Sequence, residues 1–425
     1  MDERRPQDLF SIDKLDQLVT SCMKCGFCKA VCPLFSGSET TSPRAKVRLA
    51  KAVLHRELET TPGIEAQMQR CLNCRACAAE CPSGVEPNKV ALAMRAVYAE
   101  KCGMHPLKRL VFRVGLAKPR LMAWVLKALG FLEQVTAIEL QNNPLRCVLP
   151  LLGLRRDKDL PVLGRRSLMS RLPERIPPLG KRTTTVLYFP GCAVNFIYPE
   201  IGLAVVSILR KLGAEVILPH DLVCCSTPVF NSGDLEGARV LARKNVQIML
   251  DANAEAIVTS CGSCGLTIKH EWVELLGLNE AKPLSQKVMD IAEFVAQYVA
   301  PSGLKTLEDF GRVTYHDSCH LRRGMGVYVE PRELLTAILG DQFVEMEQAD
   351  RCCGGGGTFS LFHPDLSQEV AETKVSCILQ TGAHTIATGC PACIMQLRDS
   401  FVHRGMRHNV VHTAEIINYA LQPNV

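Results

Sequence analysis

Eight of the 21 cysteines in this 425-residue chain fall in two short runs of identical spacing. CMKCGFCKAVCP sets Cys22, Cys25, Cys28 and Cys32 at gaps of two, two and three residues before a proline, and CLNCRACAAECP does the same with Cys71, Cys74, Cys77 and Cys81. Close spacing lets one turn of backbone wrap three corners of a [4Fe-4S] cube, and the fourth corner comes from elsewhere. Zinc competes for any C-x2-C pair, but it gives no reason for the whole run to occur twice.

Ten further cysteines stand at wider spacing and in two copies. Cys192, the pair Cys224 and Cys225, and the C-x2-C pair Cys261 and Cys264 are answered by Cys319, by Cys352 and Cys353, and by Cys390 and Cys393, at offsets of 127 to 129 residues. TVLYFPGC answers RVTYHDSC, and IVTSCGSC answers IATGCPAC, which marks an internal duplication. Neighbouring thiolates can reach different irons of one cluster. Five per copy exceed the four that a cube needs, so either the cluster is not a simple cube or one cysteine is free for chemistry. One further iron-sulfur cluster per copy is expected. His316 and His320 flank Cys319 and could ligate metal or relay protons, although a structural histidine with satisfied nitrogens is the simpler reading. Cys102, Cys147 and Cys377 fall outside both patterns and read as apolar filler.

These cysteines need elements to position them. Between the two runs SPRAKVRLAKAVLHRELE reads as a helix opened by Ser42 and Pro43, with Val47, Ala50, Val53 and Leu54 on one face. A second helix, NKVALAMRAVYAEK, follows Pro87. Residues 1–100 thus form a mostly helical domain. From 183 onward short apolar strands (Val186 to Phe189, Val313 to Tyr315, AEVIL and its counterpart QFVEM, AIVTS and TIATG) alternate with helices, the pattern of a small α/β domain with a mostly parallel sheet. Two such domains are expected, at 183–305 and 306–425, with cysteines at the strand ends where ligands of such sheets gather.

Residues 101–182 connect the two parts and carry 17 Lys and Arg against 5 Asp and Glu. Leu121, Trp124, Val125, Ala128 and Leu132 fall on one helical face, and Pro161, Pro173, Pro177 and Pro178 interrupt the end. This helix is expected to pack on the first domain; the sharper reading is a peripheral contact with a membrane or an acidic partner. Nucleic acid is not an expected partner, because Trp124 is the connector's only tryptophan and base-stacking aromatics are scarce. No run of 18 apolar residues occurs, and MDERRPQDLFSIDKLDQL has no apolar h-region. A cytoplasmic protein with reduced thiols is expected, peripheral at most on the cytoplasmic face of the membrane. GGGG at 354–357 is not a G-x-G-x-x-G fingerprint, and no P-loop or nucleophile elbow occurs.

The C-x2-C-x2-C-x3-C-P runs resemble those of bacterial ferredoxins, in which three thiolates hold one [4Fe-4S] cube and the fourth ligates the other cluster; the resemblance implies that Cys22, Cys25, Cys28 and Cys81 hold one cubane cluster, and Cys71, Cys74, Cys77 and Cys32 the second. The wider pattern resembles the cysteine-rich (CCG) domain of heterodisulfide reductase subunits and of the iron-sulfur subunits of FAD-linked 2-hydroxy-acid oxidases. The fold expected is an α-helical ferredoxin-type domain with two [4Fe-4S] clusters, followed by two duplicated α/β cysteine-rich domains. The order of parts is similar to the iron-sulfur subunits of glycolate oxidase, of D-lactate dehydrogenases and of anaerobic glycerol-3-phosphate dehydrogenase. CGFCKAVCP, SPRAKVRL, CPSGV and PGCAVNFIYPEIG carry the hydroxy-acid resemblance best. It implies an electron-transfer subunit that takes electrons from a separate FAD-containing subunit oxidising D-lactate or glycolate and passes them to quinone or another carrier. The chain departs from the family pattern at Ser226, where glycine is usual and where the second copy has Gly354. Its ten cysteines are all present, which is closer to the heterodisulfide-reductase group and implies the alternative of a subunit reducing a disulfide at its CCG-domain clusters.

Overall fold

The structure, a computed structural model, describes residues 12–118, 121, 166–300, 303–308 and 310–421. Its N-terminal part is built from the helices Ile12–Thr20, Pro43–Leu54, Pro62–Gln69 and Pro87–Cys102. Ser42 opens the second of these as the sequence predicts: its hydroxyl accepts the Ala45 N–H at 3.0 Å, with proline at the first helical position. Val47 and Ala50 then meet Leu15, Val19, Met68, Val90 and Met94 in a small core. Pro87–Cys102 is buried continuously from Pro87 to Ala96. One of its sides covers that core and the other leans on the α/β part, where Lys89 pairs with Glu274 at 3.0 Å.

The α/β part contains two sheets. In the first, β1 (Arg175–Ile176), β3 (Ala214–Ile217), β2 (Thr184–Phe189), β4 (Ala256–Thr259) and β5 (Val288–Asp290) lie in that order, all pairs parallel except β1 with β3. In the second, β6 (Val313–His316), β7 (Thr385–Thr388) and β8 (Asn409–His412) are parallel throughout. β6, β7 and β8 repeat the places of β2, β4 and β5. Val186, Leu187, Tyr188 and Phe189 are all fully buried, as expected of a parallel strand covered on both faces. A single hydrophobic core joins the halves, and the helix Pro199–Lys211 of the first packs on Thr413–Ala420 of the second.

The sequence reading needs two corrections here. QFVEM does not form a strand. It is reduced to one parallel bridge from Phe343 to Val313, because the chain turns away where Glu345 is held by Arg332 at 2.8 Å. Conversely, β5 and β8 extend the duplication beyond the cysteines. VMDIAEF and VVHTAEI each lead into a helix through a capping box, from Asp290 with Glu293 and from His412 with Glu415.

The start of the connector docks on the protein. Arg113 pairs with Asp234 at 2.7 Å, and the Lys108 ammonium stands 4.7 Å from the Phe362 ring centre. Leu121 is exposed, while Trp124, Val125, Ala128, Leu132, Cys147 and Pro161 lie outside the described residues. Among the described residues no helix is long and apolar enough to cross a membrane.

Candidate metal centres

The two short runs curl because residues between their cysteines adopt left-handed backbone: Lys24 and Gly26 in the first, Asn73 and Arg75 in the second, at φ of 62°, 94°, 53° and 62°. Non-glycine residues persist there only where their surroundings hold them. Arg44 binds the Lys24 carbonyl at 2.9 Å, and the Asn73 side chain is held between Asn88 and Asn231 at 2.9 and 3.2 Å. Arg44 is itself fixed by Glu39, whose carboxyl its hydrogen bonds pull down to about 2. As a result Cys22, Cys25, Cys28 and Cys81 border one cavity of about 20 Å³, and Cys32, Cys71, Cys74 and Cys77 border another of about 30 Å³. The fourth cysteine of each run stands with the first three of the other. Burial pushes the Cys32 thiol up to about 12, so a free thiol there would stay protonated and its thiolate form needs a bound cation.

Sequence reasoning did not single out Arg95, which holds the second loop from behind. Its guanidinium, 5% exposed, donates to the carbonyls of Met68, Cys71 and Asn231 at 2.7, 2.7 and 2.9 Å. It ties that loop to the α/β part.

The other ten cysteines arrive from strand ends. Cys192, Cys261, Cys319 and Cys390 follow β2, β4, β6 and β7 within three residues, and the Cys-Cys pairs come from the loops between. They are not two separate groups. Hydrogen-bonded thiols run from Cys192 through Cys224, Cys225, Cys264 and Cys261 to Cys390, and on through Cys393, Cys353 and Cys352 to Cys319. All ten border one cavity of about 430 Å³. Cys352 also hydrogen-bonds Cys74 of the N-terminal part. Leu72 presses against the GGGG turn there, where a side-chain carbon on Gly356 would come within 2.7 Å of it.

Protons are shared unevenly along this line. Hydrogen bonds from Cys224, Cys352 and Cys261 push Cys225, Cys353 and Cys390 well below the usual thiol range, while their neighbours Cys224 and Cys393 are pushed well above it. Ten thiols in contact, eight of them buried, cannot all ionise without a polyvalent cation. One buried ammonium, Lys374, stands near, donating to the carbonyls of Gln348 and Ala349 at 2.6 and 3.1 Å. A cavity lined by sulfur, with strand-end loops around it, fits iron-sulfur clusters well.

The two histidines part company. His320 is satisfied, with Nδ1 3.0 Å from the Ser263 hydroxyl and Nε2 2.9 Å from the Asn73 carbonyl. His316 is 1% exposed; the Ala349 carbonyl stands near its ring, but neither nitrogen makes a well-formed hydrogen bond among the described residues. Cys377 is buried as apolar filler, whereas Cys102 is exposed at a helix end and fills no core.

The chain matches the cysteine-rich domain over residues 186–269 and again over 313–398, and the 4Fe-4S dicluster domain over residues 18–85. Lactate utilization protein A 1 of Bacillus mycoides is 32% identical across 55% of this chain and 96% of that protein. This chain is an iron-sulfur subunit of that family. The subunit is also 28% identical to the "Probable glycolate oxidase iron-sulfur subunit" of Bacillus subtilis, over 93% of both chains. One subunit of the dihydromethanophenazine:CoB--CoM heterodisulfide reductase of Methanosarcina barkeri is 27% identical over 89% of this chain and 88% of its own length. The last two relatives are named as subunits of oxidoreductases.

Proposed function

We propose that this subunit carries electrons within a FAD-dependent 2-hydroxy-acid dehydrogenase, from a flavoprotein partner that oxidises D-lactate or glycolate to quinone or another carrier. The observation that carries the reading is the contact of Cys74 with Cys352, which packs the dicluster domain directly against the ten-cysteine cavity. The crossed sets Cys22, Cys25, Cys28, Cys81 and Cys71, Cys74, Cys77, Cys32 would each hold a cube, and the five-cysteine sets one cluster each. Iron-sulfur clusters pass single electrons at potentials set by their surroundings. A hydroxy acid gives up a hydride, so a flavin must stand between. Similarity to the glycolate oxidase and lactate utilization proteins supports this substrate class.

Purified anaerobically, the single chain should contain about sixteen irons and no flavin. It should oxidise neither acid until a flavoprotein dehydrogenase subunit is added, whereupon substrate should bleach its visible absorption. Stoichiometric FAD in the single chain, or oxidation by it alone, would overturn the proposal.

A second reading is favoured by one feature, the roughly 430 Å³ of space into which both five-cysteine sets face. There the subunit would reduce a disulfide directly. Thiol release from a disulfide by the reduced single chain, without flavoprotein, would favour it.

A further inference from the structure

Superimposing the two copies by their offset sets His316 at the end of β6 against Phe189 at the end of β2. The difference is chemical. A histidine nitrogen lies with the sulfurs of Cys353 and Cys393 in a group whose members are all within 4.8 Å of one another, and all three residues are buried. A buried ring without a well-formed hydrogen bond at either nitrogen is unfavourable, and phenylalanine avoids that in the first copy. His320, four residues on, has a partner for each nitrogen, so the segment can satisfy a histidine where the role is structural.

A second exchange points the same way. Asn245 of the first copy binds the backbone around the cysteine pair, accepting from Val223 at 2.9 Å and donating to the Cys224 carbonyl at 3.0 Å. At the matching position the second copy has Lys374, fully buried among carbonyls beside Cys353. An imidazole nitrogen lying with the Cys353 and Cys393 sulfurs has a lone pair to offer a metal.

We infer that His316 is a nitrogen ligand to iron in the second five-cysteine site, so that the duplicated sites are chemically unequal: sulfur alone in the first, sulfur and imidazole in the second. This rests on the iron reading proposed above. Five cysteines exceed the four that a cube needs, so the imidazole can take an iron in place of one thiolate, an exchange that raises a cluster's potential. The second site is then the easier of the two to reduce, and it is also the one whose Cys352 touches Cys74.

The test uses the full chain, loaded anaerobically and labelled with ¹⁵N only in histidine rings, with pulsed EPR recorded in poised oxidised and reduced states. A strongly coupled ¹⁵N is expected. It should persist in His320→Gln and vanish in His316→Phe, which copies the first half, with total iron unchanged and the midpoint of the second site shifted downward. Full iron without a coupled ¹⁵N in the unsubstituted chain overturns the ligand, as does a coupling that survives in His316→Phe. If His316→Phe fails to load, the unsubstituted chain still decides on the coupling, and His316→Gly soaked with ¹⁵N-imidazole should regain it. Iron at only the dicluster level overturns the iron reading itself, and the ligand with it.

Discussion

Ser226→Gly should stabilise the first cysteine-rich domain. Ser226 stands at φ 84°, and its counterpart Gly354 at φ 85°, so the left-handed turn after each cysteine pair is common to both copies and only the second has the residue suited to it. An L-residue held there costs about 1–2 kcal/mol. The Ser226 hydroxyl is fully buried with no hydrogen-bond partner among the described residues, which adds about 1–3 kcal/mol. Glycine gives back about 0.4–1 kcal/mol through its freedom in the unfolded chain. The balance favours glycine by roughly 2 kcal/mol, or about 4–8 °C in midpoint for a unit of this size. A reporter is built in. Trp272 is fully buried and its indole N–H donates to the Cys225 carbonyl at 2.9 Å, and the only other tryptophan, Trp124, can be removed by Trp124→Phe. Fluorescence melts of the metal-free chain, with and without Ser226→Gly, read the difference. Gly354→Ser should act in the opposite direction, since a side chain there would collide with the Ser367 carbonyl. An unchanged or lower Trp272 midpoint in Ser226→Gly would refute the strain argument.

Other substitutions probe the remaining sites. Cys32→Ser should damage the cluster at Cys71, Cys74 and Cys77 rather than the one at Cys22, read by cluster-resolved EPR; loss at the Cys22 site instead would break the crossed pairing. Arg95→Met removes a buried cation that binds three carbonyls within 3 Å and should cost about 3 kcal/mol or more. Iron should leave the Cys71 site before the Cys22 site, and equal loss from both would contradict its role as a brace. Burial lifts the Asp290 carboxyl to about 8, so the fold retains a proton that the unfolded chain releases from roughly pH 4 upward, and stability falls as pH rises through that window. Asp290→Asn keeps the cap on Ala292 but does not titrate, so its advantage over the unsubstituted chain should grow from pH 5 to pH 8 in denaturant titrations; a constant difference would exclude the effect.

How far the sequence could be read depended on the range over which each feature is determined. Two loops with cysteines at fixed short gaps are local objects, and their resemblance to the ferredoxin run implied the crossed pairing, so Cys32 and Cys81 could be matched to the opposite runs before any fold was known. Ser42, Pro43 and the apolar stripe through Val47 and Ala50 were equally local. QFVEM failed as a strand for a tertiary reason, the hold of Arg332 on Glu345, and no propensity carries that. The joining of the two five-cysteine sets at Cys261 and Cys390 depends on how the copies pack face to face, which spacing within either copy cannot express. Arg95 was illegible because its partners are backbone carbonyls far along the chain.

The differences between the copies were legible in principle, because the offsets that reveal the duplication also align Phe189 with His316, Asn245 with Lys374, and Ser226 with Gly354. Duplicated strands keep their apolar faces because each must cover an equivalent core. Positions that border the sulfur cavity are under no such common demand. There the second copy gains a buried imidazole and a buried ammonium, and the first gains neither. Shape is conserved between the halves where packing requires it, and charge diverges where the metal centres are expected. If the sites were interchangeable, a buried imidazole and a buried ammonium would have no reason to stand beside Cys353 when phenylalanine and asparagine hold the matching places in the first copy. On the proposed reading the asymmetry serves electron traffic rather than folding, and exchanging His316 for phenylalanine should disturb the second site's potential well before it disturbs the fold.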